Sequence, residues 1–223
     1  MPRRNTPLVN DNFYHVYNRG VNKQPIFFTL KNYKRAVETI KYYLVENPPI
    51  RYSKFLQLTN DRQREVSENL NNAKRTVEVI SYTLMPNHYH FLLKQVSENG
   101  IKNFIRNFQI SYTKYINTRF DRVGPLFQGQ FKAKLIEDIE ILNHLDRYIH
   151  LNAYTSHIVK TIEELKVYYP SSLPDYLGAY KGGFCSKEFI LMQYSSINKY
   201  WEFIVNQAGY QKNLEQIKHI TFE

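Results

Sequence analysis

The chain has 223 residues, enough for one domain, or one domain plus a small second module, to bury a core without disulfides. Its 43% hydrophobic content argues against disorder, and its single cysteine, Cys185, excludes an intramolecular disulfide framework and any multi-cysteine zinc module. A net charge of +10 and a pI near 9.5 favour a polyanionic partner, nucleic acid first, and 19 tyrosines and 14 phenylalanines supply rings on which unpaired bases can stack.

The start, "MPRRNTPLVN", is basic but has no apolar run behind it, so it is not read as a secretory signal. No apolar run approaches the roughly 20 residues that span a bilayer, so no membrane partner is expected and the protein is placed in the cytoplasm. "NFYHVYNRG" (12–20) reads as a first strand closed by Gly20, with His15, Tyr17 and Arg19 on one face and Tyr14, Val16 and Asn18 on the other. Residues 30–47 carry Val37, Ile40 and Leu44 at helical spacing and stop before Pro48-Pro49. Residues 52–75 are polar and charged, an exposed insertion or a partly helical loop. Strands at 76–85 and 88–95 flank a tight turn at Pro86-Asn87, which makes a hairpin. A long amphipathic helix follows at 101–120. Its exposed side holds Lys102, Arg106, Lys114 and Arg119 with no acid until Asp121, a face suited to a phosphate backbone. After Gly124-Pro125, residues 126–137 read as a loop entering a short strand, and 138–156 as a helix capped by Asp138. From 157 onward there are no strand signals, only a "YYPSSLPDYLG" loop and two short helical patterns near 186–207.

The order strand–helix–strand–strand–helix–strand–helix predicts an α+β fold, an antiparallel sheet of the ferredoxin type with helices packed on it. One domain is expected over 1–156, with the insertion near 52–75, and a helical appendage over 157–223.

The hairpin's second strand contains "HYH". Alternate residues of a strand share a face, so His88 and His90 project together, about 7 Å apart, and can bind one divalent metal. No metalloprotease or metallo-β-lactamase pattern surrounds them. In "LDRYIHLNAY", Tyr148 and Asn152 stack four residues apart on one helix face. An amide oxygen there can complete a metal site, with the tyrosine beside it. His144 and His150 flank Tyr148 and are alternative ligands or bases; spacing does not choose among them.

"MPNHYHFLL", "GPLFQGQFKAKLIED" and "RYIHLNAY", in this order, resemble the single-tyrosine HUH transposases, specifically the REP-associated tyrosine transposases. "YHVYNRGVNKQPIF" (14–27) and "YYPSSLPDYLG" extend the resemblance over about 12–178, and more loosely to about 207. The resemblance implies His88 and His90 as ligands of Mg²⁺ or Mn²⁺, Asn152 as third ligand, and Tyr148 as the nucleophile. The implied reaction attacks a single-stranded DNA phosphodiester beside a hairpin. It leaves a 5′-phosphotyrosine and a free 3′-hydroxyl that can reverse the step and join strands. It also implies a bacterial or archaeal cytoplasmic protein associated with the nucleoid. Many members have proline after the asparagine, whereas this chain has Ala153, and the 52–75 insertion has no counterpart role.

Asn18, Arg19 and Lys23 after the first strand, Arg106 on the long helix, and Gln128, Lys132 and Lys134 before the catalytic helix are candidate DNA contacts. Lys181, Lys187, Lys199 and Trp201 either clamp a hairpin or cap the core. The C-terminal segment favours a monomer, a dimer being the alternative. Two other functions fit the sequence: a non-catalytic nucleic-acid-binding module, and a phosphoesterase using activated water with Tyr148 structural.

Overall fold

The structure, a computed structural model, describes residues 7–180, 182–206 and 208. Strands β1 (Phe13–Arg19), β2 (Val77–Met85), β3 (His88–Gln95) and β4 (Lys132–Ile136) form one antiparallel sheet in the order β2-β3-β1-β4. Helices α1 (Leu30–Tyr42) and α4 (Gly100–Arg119) cover one face, and α5 (Ile139–Thr155) covers the other. Between α1 and β2 lie α2 (Tyr52–Phe55) and α3 (Asn60–Asn72). The latter has no buried residue, whereas Tyr52 of α2 is buried in the core.

The alternation of side chains assigns the two faces. Tyr14 and Val16 of β1, with Tyr89, Phe91 and Leu93 of β3, pack under α1 and α4 alongside Ile40, Phe104 and Phe108. Leu92 points the other way, towards Leu142, Ile149 and Ala153 of α5. A register shift between Val79 and Ser81 lets Val79 and Tyr82 share the first face while Ile80 reaches the second.

The helix starts follow local chemistry. Thr29 and Asn32 form a reciprocal capping box at α1. The Asp138 side chain accepts from the backbone N–H groups of Glu140 and Ile141, the N-cap read from the sequence. Gly100 opens α4 against β2, where a Cβ would lie 2.2 Å from the Thr76 carbonyl oxygen.

The chain after α5 continues through a 3-10 turn (Glu163–Val167), α6 (Leu173–Tyr176), α7 (Glu188–Leu191) and α8 (Ile197–Val205). Val159, Leu165, Leu173, Tyr176, Ile190, Tyr200 and Ile204 join the α5 core. A buried polar chain stitches the two together. Tyr200 donates to Asp146 Oδ2 at 2.7 Å, and its hydroxyl also lies 2.7 Å from His150 Nδ1. His150 Nε2 meets Ser172 Oγ at 2.7 Å, and that hydroxyl accepts from the Tyr82 backbone N–H. The helix carrying Tyr148 is therefore seated by groups far away in sequence. No helix among the described residues is long and apolar enough to cross a membrane.

Candidate active site

The site forms where the ends of β1 and β3 meet α5. His90 pairs across the sheet with Tyr17, and His88 with Arg19, so the face holding Tyr17 and Arg19 also holds both histidines. The His88 and His90 ring centroids are 5.1 Å apart, nearly perpendicular. Tyr148 reaches them from α5. Its ring centroid lies 5.6 Å from that of His90, edge-on at 86°.

Asn152, one helical turn on, is buried, and its Oδ1 accepts a weak bond from Ser156 Oγ at 3.3 Å. Its Nδ2 is buried without a hydrogen-bond partner. An unmatched buried amide is costly without a further ligand, and either amide atom can occupy that position.

His15 belongs to this constellation, although the sequence places it only on the Tyr17 face. Its Nε2 lies 2.9 Å from His90 Nδ1, and the rings stack with centroids 5.1 Å apart. Burial holds the His15 imidazole down at about 4, with help from the Lys134 ammonium across β4. Burial also holds His90 well below its ordinary value, as do the neighbouring His88 and His15. Both rings are thus neutral at physiological pH, the form in which imidazole binds a metal. The imidazoles of His88 and His90 and the Asn152 amide are donors of the kind a divalent cation takes, though not a site of carboxylates and histidines. Among the described residues no group of three or more His, Cys, Asp or Glu side chains is arranged to hold one.

The two alternative histidines are engaged elsewhere. His150 is fully buried with both nitrogens bonded in the chain to Tyr200 and Ser172. His144 Nδ1 pairs with Arg147 Nη2 at 2.6 Å, on the side of α8.

Beside the histidines opens a cleft of about 690 Å³. Asn18, Arg19, Lys23, Gln128 and Lys132 line it together with His88 and the end of α5 at Thr155, Ser156 and His157. Its walls are tied by backbone bonds: Gly20 N–H donates to Asn87 O, Val21 N–H to Leu126 O and Gln128 N–H to Arg19 O. Arg19 Nε donates to Gln128 Oε1 at 2.6 Å, aligning two of these polar groups. Lys134 stands next to His15 rather than in the cleft.

Arg106 is not brought to this cleft. It lies across the sheet in a groove between α1, the residues around 47–53 and α4, with Arg35, Arg51, Lys114 and Arg119. Of the C-terminal candidates, Lys187 pairs with Asp175 at 2.9 Å and Lys199 with Glu202 at 2.7 Å. Trp201 stacks under Lys166, and Lys181 lies outside the described residues.

The antiparallel four-stranded sheet, with α1 and α4 on one face and α5 on the other, is an α+β architecture. A solved structure of a REP-associated tyrosine transposase bound to a REP hairpin shares this fold. Its TM-score is 0.54 at 13% sequence identity, over 80% of this chain and 86% of that one. A family model described as "Transposase IS200 like" matches residues 36–152, a stretch running from α1 through α5 that includes His88, His90, Tyr148 and Asn152. The chain belongs to the IS200-like transposase family. No curated protein matches it.

Proposed function

We propose that the protein is a metal-dependent single-stranded DNA endonuclease and strand transferase that acts at hairpin sequences through Tyr148. One observation carries this reading: the Tyr148 ring meets His90 edge-on at 5.6 Å, beside a cleft lined by Arg19, Lys23 and Lys132.

The residues divide the work. Arg19, Lys23 and Lys132 attract the DNA backbone, while Asn18 and Gln128 offer directional hydrogen bonds at the same wall. Tyr17 and the histidine rings supply flat surfaces for an unpaired base. His88, His90 and the Asn152 amide would hold Mg²⁺ or Mn²⁺, which, when bound, neutralises the scissile phosphate and orients it. The preference for these ions over zinc follows from the family, since imidazole ligands accept either.

The Tyr148 oxygen attacks phosphorus in line, and the bond from phosphorus to the 3′-oxygen breaks. The phenolic proton is lost from Tyr148 and a proton is taken up by the departing 3′-oxygen, giving a 3′-hydroxyl and a 5′-phosphotyrosine. The new ester keeps the phosphodiester's energy, so attack by another 3′-hydroxyl rejoins strands without a nucleotide cofactor. The solved REP-associated relative is bound to a REP hairpin, which supports the same substrate class here. Arg106 and its neighbouring cations on α4 form a second basic surface for duplex backbone. The setting is the cytoplasm, at the nucleoid, and the protein acts as a monomer.

The test is incubation of the protein and Mn²⁺ with labelled hairpin DNA carrying a single-stranded flank, followed by denaturing electrophoresis. A covalent adduct lost in Tyr148→Phe supports the proposal. Binding without cleavage indicates a non-catalytic binding module, and cleavage unchanged by Tyr148→Phe indicates a water-using phosphoesterase.

A further inference from the structure

We propose that His15 is a positioning residue for His90: it holds the His90 proton on Nδ1 and thereby presents the Nε2 lone pair to the cation. The inference rests on the metal-dependent reading above and assigns a role to a side chain on a different strand from the ligands.

His15 Nε2 and His90 Nδ1 are 2.9 Å apart, so one proton lies between them. If His15 donates it, His90 carries its own proton on Nε2 and neither of its nitrogens can bind a metal. If His90 donates it, Nε2 bears a lone pair. Since Nδ1 is taken in both cases, Nε2 is the nitrogen through which His90 can act as a ligand, and only the second arrangement permits it.

His88 shows the same device with a different partner. Its Nδ1 lies 2.6 Å from Asn87 Oδ1. The Asn87 amide is oriented by its own Nδ2, which donates to the Lys23 carbonyl at 3.1 Å, so the atom facing His88 is an acceptor. His88 therefore donates from Nδ1 and carries its lone pair on Nε2. Each histidine of β3 is thus gripped at Nδ1 by another element, His88 from the hairpin turn and His90 from β1. Ligating histidines are commonly fixed by such a bond from their second nitrogen.

His15 is also fixed itself. It stacks on His90 with an interplanar angle of 19°, lies 4.8 Å from the Tyr17 ring and meets Tyr148 edge-on at 6.4 Å. It does not assemble with His88 and His90 into a three-histidine site among the described residues, so it acts through His90 rather than on the metal.

The test uses the full-length protein with ¹⁵N-labelled histidine, Mg²⁺ for NMR and Mn²⁺ alone for calorimetry. The wild type should show His90 as the Nδ1–H tautomer with Mg²⁺ bound. His15→Phe should weaken Mn²⁺ binding by about 10–100-fold, the usual cost of losing such a partner. His15→Gln, whose amide oxygen can accept the same proton, should recover most of it. Should His15→Phe fail to fold, the wild-type tautomer and His15→Gln still decide. An Nε2–H tautomer in the Mg²⁺-bound wild type overturns the inference. So does full Mn²⁺ affinity in His15→Phe while His88→Ala has lost it, a result that leaves the metal reading standing. A wild type that binds no Mn²⁺ overturns both.

Discussion

Tyr148 of α5 and His90 of β3 face each other edge to plane, with ring centroids 5.6 Å apart across the gap between helix and sheet. The contact depends on the seating of α5, and that seating is set by the buried chain from Asp146 through Tyr200 and His150 to Ser172.

Tyr200→Phe should therefore destabilise the fold. It leaves Asp146 Oδ2 and His150 Nδ1 without their hydroxyl partner inside the core, where Asp146 Oδ1 already lacks one. An unmatched buried polar group costs about 1–3 kcal/mol. Urea unfolding should show a loss of that order with an unchanged m-value, and DNA cleavage should fall because Tyr148 shifts with its helix.

Gly20→Ala should disrupt the cleft while sparing the sheet. A Cβ at Gly20 would lie 2.2 Å from the Gln24 carbonyl oxygen and 2.9 Å from Ile26, so the 20–26 loop has to move. That loop carries Lys23 and anchors Asn87 and Pro86 through backbone bonds. The expected outcome is at least tenfold weaker binding to single-stranded DNA with a near-native circular dichroism spectrum.

The two basic surfaces should separate by substrate and salt. Lys132→Gln in the cleft should weaken single-strand binding and lower its salt slope by about 0.7, the value for one phosphate contact on a single strand. Arg106→Gln, across the sheet, should act on duplex stems and lower that slope by about 0.9. Fluorescence anisotropy over a salt series, with each DNA form in turn, measures both.

Stability should fall steeply in alkali. Burial pushes the phenols of Tyr82, Tyr176 and Tyr200 well above the ordinary tyrosine value. In the unfolded chain they ionise near their ordinary value of about 10. The stability contributed by the neutral phenols is thus complete below that pH and is lost as pH rises towards the folded values. Tyrosinate absorbance from these rings should appear together with unfolding, as one cooperative step rather than as independent titrations.

Much of this architecture can be read directly from the chain because the signals are local. Alternation sets the faces of β1 and β3, Pro86-Asn87 fixes the hairpin, and Asp138 marks the start of α5. The Tyr148–Asn152 spacing places both on one helix face, and the resemblance ties that face to His88 and His90. What escapes is non-local. His15 is legible as a residue of the right face, but pairing strand 13–19 with strand 88–95 depends on a sheet order that no local pattern encodes. Asn87 reads as a turn residue and gives no sign in the sequence that its amide reaches His88. The Asp146–Tyr200 bond joins residues 54 positions apart, and both look like ordinary helix residues in sequence. Charge alone groups Arg106 with the other DNA contacts, whereas α4 carries it to the face opposite the cleft.

The most direct measurement is the identity of the DNA-linked residue. After reaction with Mn²⁺ and hairpin DNA, the adduct should be digested with nuclease and protease and its peptides analysed by mass spectrometry. The account predicts a nucleotide attached through phosphate to Tyr148. Attachment at a different tyrosine, or strand cleavage with no protein-linked nucleotide, would contradict it.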